Sequence, residues 1–265
     1  MALPDHRPAV IGLAHPGEMG SEVGRCLVGR GHQVLWASER RGTATAERAR
    51  RCGLADVGTV GELARRADVI VSVCPPHAAL DVAAQVRGFG GLYLDANAIS
   101  PRTASEVAAI VEPGGATYVD GGIVGPPPTA AGSTRLYLSG PAAGQVRDLF
   151  AGTPLDARVV TAGPFAASAV KMAYAAWTKG SAALLLAARA LADAEGVSDV
   201  LLAEWELSQP GLEGRRAGAA RSATAKGWRW VAEMEQIAAT MDAAGLPAGF
   251  HQAAAAVFRD YPREA

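Results

Sequence analysis

Up to about residue 162 the chain alternates short β-rich runs with amphipathic stretches, and this alternation restricts the fold more than any other feature. The runs fall at 8–12, 33–36, 68–74, 91–95, 116–120, 134–139 and 157–161. Helical patterns lie between them at 43–53, 60–66, 77–86, 101–112 and 141–152. Such a chain is expected to form a parallel sheet with helices on both faces. Ligands of these sheets sit beyond the carboxyl ends of the strands. Here those ends are Gly12, Ser38, Cys74-Pro75-Pro76, Asp95-Ala96-Asn97 and Asp120-Gly121-Gly122.

The first of these ends is rich in glycine. Ala9-Val10-Ile11 runs into Gly12-Leu13-Ala14-His15-Pro16-Gly17-Glu18-Met19-Gly20, which opens a helix from Ser21 to Arg30. A strand, a glycine turn and a helix start gather unpaired backbone N–H groups and the positive helix end at one point, a site suited to a pyrophosphate. Glycine lets the backbone approach the phosphates and make the tight turn. A second strand, Gln33-Val34-Leu35-Trp36, follows at the spacing of a dinucleotide-binding unit. The bland alternative is a plain strand-to-helix turn.

The pattern then changes. From Pro164 to Glu195 there is no further proline and a single glycine, Gly180, so one helix of roughly 30 residues and ~45 Å is expected. That length suits an interdomain helix or a dimer core. Helices are expected next at 198–207, 213–224, 227–244 and 248–260, with breaks at Pro210-Gly211, Gly227 and Gly245-Leu246-Pro247. The expected fold is an N-terminal Rossmann dinucleotide-binding domain over residues 1–162, then an all-α C-terminal domain over 163–265 for substrate and dimerisation.

Composition narrows the function. With 25 basic and 26 acidic residues there is no surplus of charge for nucleic acid or a membrane surface. The apolar run at 182–192 is too short to span a bilayer, and the first residues lack the apolar core of a signal peptide. Cys26, Cys52 and Cys74 are an odd, scattered set that suits buried thiols in a reducing compartment, so a cytoplasmic protein is expected. No histidine spacing suggests a metal site, and no Gly-x-Ser-x-Gly elbow suggests a serine hydrolase.

Only three lysines occur, and Lys171 lies on an alanine-lined face two turns into the long helix. A partly desolvated ammonium there is suited to hydrogen-bond a carbonyl oxygen and to donate a proton as hydride arrives. Tyr174, one turn on, could share that bond or be the acid itself. The alternative is a lysine that snorkels from a packed helix. Glu233, beside Trp228 and Trp230, reads either as a pocket residue or as part of a solvated face.

Together these segments resemble the β-hydroxyacid dehydrogenase and 6-phosphogluconate dehydrogenase superfamily over nearly the whole chain. Gly12-Leu13 and Gly17-Glu18-Met19-Gly20 match the family's glycine loop, with Ala14-His15-Pro16 inserted. Ser72-Val73-Cys74-Pro75 resembles the strand end beside the nicotinamide ribose. Asp95 to Pro101 resembles its Asp-x-Ser-Thr-Ile-Ser-Pro segment, and Asp120 to Pro126 its substrate segment. Lys171 falls at the family's catalytic lysine. The last helices look most like a phosphogluconate-dehydrogenase-like subgroup whose C-terminal domain has no assigned function. Two family groups are replaced: the substrate-segment serine is Val124, and the asparagine after the lysine gives way to Tyr174 and Ala175.

The resemblance implies a set of roles. Gly12, Leu13, His15, Pro16, Gly17, Glu18 and Met19 would hold the pyrophosphate, and Cys74, Pro75, Pro76 and Asn97 the nicotinamide ribose. Ile123, Val124, Gly125, Trp177, Thr178, Glu233 and Met234 would form the substrate cleft. Lys171 would be the proton donor, with Tyr174 assisting. No metal is expected. At the end of the second strand Ser38 is followed by Glu39-Arg40-Arg41. A serine with two arginines favours the 2′-phosphate of NADP over the ribose of NAD, since arginine binds phosphate bidentately. Glu39 complicates this, because it could pair with an arginine or contact the ribose. The expected activity is hydride transfer between NADPH and a small carbonyl/alcohol pair. The alternatives are C=N reduction on the same fold and a non-catalytic NADP-binding protein. A homodimer with a shared active site is expected, with Met234 or His251 supplied by the second copy.

Overall fold

A computed structural model of the protein describes residues 8–261. The chain divides into two compact units between Lys171 and Met172.

In the first unit the strands are β1 (Val10–Leu13), β2 (Gln33–Trp36), β3 (Ala55–Asp56), β4 (Val69–Ser72), β5 (Leu92–Asp95), β6 (Thr117–Val124), β7 (Thr134–Ser139) and β8 (Leu155–Val159). They form one sheet in the order β3-β2-β1-β4-β5-β6-β7-β8. The helices between them are α1 (Glu18–Gly29), α2 (Thr43–Arg51), α3 (Val60–Arg66), α4 (Ala79–Gln85), α5 (Pro101–Val111) and α6 (Ala143–Leu149). The strand order runs outward both ways from β1 and β4, the arrangement of a Rossmann domain.

Alternate residues of the central strands feed two cores, as the period of two requires. Ile11, Leu13, Val69, Val71, Leu92 and Leu94 pack on one face, and Ile70 and Tyr93 pack with Leu63, Ala83 and Val107 on the other. Local signals set the helix starts. Thr59 accepts the Glu62 amide ahead of α3, and Ser100 accepts the Thr103 amide ahead of α5, which opens with Pro101.

The sheet departs from the expected all-parallel form at one place. β6 and β7 are antiparallel, and β8 then runs parallel to β7. The reason is the short connection from Val124 to Thr134, which includes Pro126-Pro127-Pro128. A parallel crossover needs a dozen or more residues, so this one turns back on itself.

α7 (Ala166–Ala194) is a single helix that passes through the division, as its lack of proline predicts. The second unit continues with α8 (Ser198–Ser208), α9 (Leu212–Ala243) and α10 (Gly249–Arg259). Gly196 (φ +68°) and Gly245 (φ +69°) close α7 and α9 in the left-handed region. The expected break at Gly227 does not occur. Gly227 is buried inside α9, where a Cβ would come within 2.8 Å of the Tyr261 Cβ. Its small size admits Tyr261 against the helix instead of ending it. α10 packs along α9, with the Phe258 ring edge-on to Trp230 at 5.0 Å.

Among the described residues no helix is long and apolar enough to cross a membrane.

Candidate functional site

The glycine loop joins β1 to α1. Gly17 is the N-cap of α1 and offers no side-chain acceptor, so the Met19 and Gly20 amides of the first turn have no intrahelical partner and stand at the positive helix end. Leu13 and Pro16 are buried beneath the loop, Met19 packs on the core and Glu18 faces solvent. The loop passes close to itself. A Cβ on Gly20 would lie 2.3 Å from the His15 carbonyl oxygen, and one on Gly17 would lie 3.3 Å from the His15 ring. Gly12 meets Leu63 of α3 in the same way, at 2.4 Å. This cradle, open in amides and closed to side chains, fits a pyrophosphate.

The inserted residues tie the loop to the end of β2. Arg41 Nη1 lies 2.7 Å from His15 Nδ1, and its Nη2 reaches the Ala14 carbonyl at 3.4 Å. From α2, Arg48 donates to the Pro16 carbonyl at 3.5 Å and to Thr45 Oγ1 at 3.0 Å. The sequence reading did not find Arg48, whose register on α2 turns it back to a loop 32 residues away. Burial first, then the charges of Arg41 and Arg48, push the His15 pKa down to about 4. Arg40 takes the left-handed conformation (φ 58°), a strained choice for a residue with a Cβ.

Glu39 resolves its own ambiguity. Its Oε1 accepts the Val60 amide at 3.0 Å, at the first residue of α3, and its own amide donates to the Gly58 carbonyl. It therefore pairs with neither arginine. Asp56, at the end of β3, accepts the Ser38 and Gly58 amides at 3.2 and 2.8 Å.

The ends of β4 and β5 are braced by Asn97. Its Oδ1 accepts the Cys74 amide at 2.6 Å and its Nδ2 donates to Ser72 Oγ at 3.0 Å. Asn97 is 2% exposed, so its side chain acts by holding the Cys74-Pro75-Pro76 turn rather than by reaching into solvent. Burial pushes the half-buried Cys74 thiol up to about 12, which removes it as a nucleophile. Asp95 is fully enclosed: Oδ1 accepts the Asn97 amide at 2.9 Å and Oδ2 has no partner. Desolvation raises its pKa to about 7, with the nearby Asp120 charge adding to the effect.

Lys171 is positioned from β6. Asp120 accepts the Ser139 hydroxyl at 3.0 Å, the Ser168 amide at 2.8 Å and the Ser168 hydroxyl. Ser139 Oγ in turn accepts the Ala167 amide at 3.0 Å. The first turn of α7 is thus fastened to the sheet by a buried carboxylate. Two residues along, Gly122 lets the helix lie flush on the strand, since a Cβ there would meet the Ala167 carbonyl at 2.7 Å and the Lys171 Cβ at 2.9 Å. Lys171 follows one turn after Ser168, half-buried, with no ion pair or hydrogen bond to a described residue. Desolvation pushes its pKa down to about 8. Ile123 and Val124 are buried on β6, and Gly125 takes φ +121° where the chain leaves it.

The remaining candidates lie in the helical unit. Tyr174 and Trp177 are 45% and 69% exposed on α7, and Thr178 returns its hydroxyl to the Tyr174 carbonyl. Trp177 lines an apolar groove of about 390 Å³ with Leu184, Leu212 and Phe250. Glu233 is paired with Lys179, both largely buried, so it is not part of a solvated face. Glu235 is exposed and paired with Arg259. Two expectations fail on burial. Met234 is 0% exposed, so it is core of the helical unit and lines no cleft. His251 is 5% exposed and bonded to the Ala176 carbonyl at 3.3 Å, so neither side chain is offered to a second copy.

Comparison with known proteins agrees with this geometry. Residues 8–150 match the family described as the NAD binding domain of 6-phosphogluconate dehydrogenase, and residues 192–261 match a domain of unknown function, DUF1932. No curated protein sequence matches the chain. Among solved structures, a 3-hydroxyisobutyrate dehydrogenase of Mycobacterium tuberculosis is similar with a TM-score of 0.73 at 19% identity, covering 96% of this chain and 94% of the other. A reductive aminase of Aspergillus terreus, solved with NADPH4, cyclohexanone and allyl amine, scores 0.61 at 18% identity over 96% and 93% of the two chains. An imine reductase of a Pseudomonas species scores 0.56 at 21% identity over the same shares. At these identities the likeness establishes the fold and leaves the reaction to be argued from the site.

Proposed function

The chain belongs to the family of the NAD binding domain of 6-phosphogluconate dehydrogenase, and from that premise we propose an NADP-dependent oxidoreductase acting on a small carbonyl/alcohol pair. The observation that carries the reading is Lys171: an ammonium without a counterion among the described residues, fastened over β6 through Asp120 and Gly122, with its pKa brought near the working pH. When bound, the nicotinamide supplies a hydride from its C4. The chain's own part is to hold the cofactor on the Gly12–Gly20 loop and to donate a proton from Lys171 Nζ to the substrate oxygen. Tyr174 is the candidate second donor. The apolar surroundings of Ile123 and Val124 favour a substrate less polar than an ordinary β-hydroxyacid. NADP over NAD is supported by Arg40, Arg41 and Arg48, and by Glu39 being spent on Val60.

Replacing Lys171 tests the reaction. With NADPH and a panel of carbonyls, Lys171→Ala is expected to lower kcat by about 10²–10⁴-fold, the usual share of a general acid, with NADPH affinity retained. Carbonyl reduction by the native protein should fall as pH rises through about 8, because the donor must be the ammonium. Alcohol oxidation should rise through the same pH. Undiminished turnover of imines by the variant would move the reading to C=N reduction. NADPH binding without turnover of any substrate would make the protein a cofactor-binding module.

Two further parts belong to the same proposal. The three free cysteines suit the cytoplasm. A homodimer through the helical unit is supported by Trp177, Leu184 and Leu191, which stand seven residues apart and exposed on α7, a spacing suited to packing against a second copy. Sedimentation at the 27.1 kDa of a single chain would remove that part.

A further inference from the structure

Three guanidinium groups, Arg40, Arg41 and Arg48, cluster at the end of β2, and none pairs with a carboxylate among the described residues. Unpaired arginines in one place form an anion site, and the reading above gives it the adenosine 2′-phosphate. Two of the arginines are held by the glycine loop. Ala14-His15-Pro16 supplies an acceptor to each of two of them: His15 Nδ1 and the Ala14 carbonyl to Arg41, and the Pro16 carbonyl to Arg48.

The chemistry of the closest contact is decided by the arginine. A guanidinium is always protonated and can only donate, so at 2.7 Å His15 Nδ1 must be the acceptor. The ring proton then sits on Nε2, and the imidazole stays neutral. Its depressed pKa agrees, since burial first, and then the charges of Arg41 and Arg48, disfavour a second ring proton. With the bond to the Ala14 carbonyl, two of the five N–H groups of Arg41 are used. The others remain for a ligand, on a side chain whose long stem is no longer free to rotate.

We propose that His15 is a positioning residue for cofactor specificity, holding the Arg41 guanidinium in the orientation that receives the adenosine 2′-phosphate. The inference rests on the NADP reading of the same site. Ordering a long side chain before the ligand arrives removes part of the cost of ordering it on binding. For one such side chain that is worth about three- to tenfold in affinity. The gain falls chiefly on the 2′-phosphate, because NADH presents only a neutral 2′-hydroxyl to Arg41 there.

The test is equilibrium titration of the full-length protein with NADPH and NADH, and with adenosine 2′,5′-bisphosphate and AMP as fragments lacking the nicotinamide. The native protein must bind NADPH more tightly than NADH; equal affinities would overturn the cofactor reading itself. Given that preference, His15→Ala is expected to weaken NADPH and adenosine 2′,5′-bisphosphate about three- to tenfold while NADH and AMP stay within about twofold. His15→Asn, whose side-chain oxygen can replace Nδ1 as acceptor, should restore most of the preference. In an Arg41→Ala background, His15→Ala should leave the preference unchanged, because the group it positions is gone. An equal loss for both cofactors would assign His15 to the shared pyrophosphate loop and overturn the proposal. So would an unchanged NADPH/NADH ratio in a folded His15→Ala protein.

Discussion

At the end of β2 the charges stand partly in water: Arg40 is exposed, and Arg41 and Arg48 are half-buried. At the ends of β5 and β6, Asp95 and Asp120 are 1% and 0% exposed. Both regions belong to the same sheet, β2 beside β1 on one side and β5 and β6 beyond β4 on the other, yet they use charge differently. Arginine does not lose its proton at any working pH, so the cofactor discrimination proposed for the β2 end would act by charge and geometry without tuning protonation. The β5–β6 end lies in a low dielectric, where each carboxylate must be hydrogen-bonded or neutral. Desolvation raises both carboxylates; at Asp120 the hydrogen bonds of Ser168 and Ser139 oppose it, whereas Asp95, with one oxygen unpartnered, rises to about 7. The proposed proton donor, Lys171, sits in the second region. Recognition of a fixed dianion belongs in the first.

The larger effect that separates the regions should come from the buried side. Asp120→Asn keeps one acceptor oxygen and turns an amide toward the Ser168 or Ser139 donors. Losing hydrogen bonds to a buried charged acceptor should cost roughly 1.5–3 kcal/mol in denaturant unfolding. It should also lower kcat with little change in NADPH affinity, because the start of α7, and with it Lys171, is released while the β2 end is untouched. An unchanged unfolding midpoint would mean that Asp120 does not fasten α7. An equal loss in NADPH affinity would mean that the two regions are not separate.

The same contrast explains what could be read from the sequence. The glycine loop, the strand–helix alternation and the long helix depend on neighbours within a turn or two, so residues 9–36 and 166–194 were legible directly. Lys171 stood out by its rarity and its alanine-lined face. The groups that hold these features in place pair across long stretches of chain. His15 meets Arg41 across 26 residues, Glu39 meets Val60 across 21 and Asp120 meets Ser168 across 48. No local pattern announces such pairs. Gly227 misled for the same reason: a glycine in a helical run reads as a break until Tyr261 is seen against it. Met234 and His251 misled in the other direction, since a polar or polarisable side chain near a proposed cleft does not reveal in sequence that it is enclosed.

A smaller effect sharpens the comparison at the exposed end. Glu39 stands where an acidic residue would accept the ribose hydroxyls of NAD, but its carboxylate is turned to the Val60 amide at the start of α3. A negative charge in a helix's first turn contributes about 0.3–1 kcal/mol, and Glu39→Gln should cost no more than that. If this is all Glu39 does, the variant should bind NADH within about twofold of the native protein, and NADPH slightly better, since one negative charge near the three arginines is gone. A loss of tenfold or more in NADH affinity, about 1.4 kcal/mol, would be too large for a helix-end charge and would return Glu39 to the ribose. The β2 end would then combine an acid for NAD with arginines for NADP, and its specificity would no longer follow from charge alone.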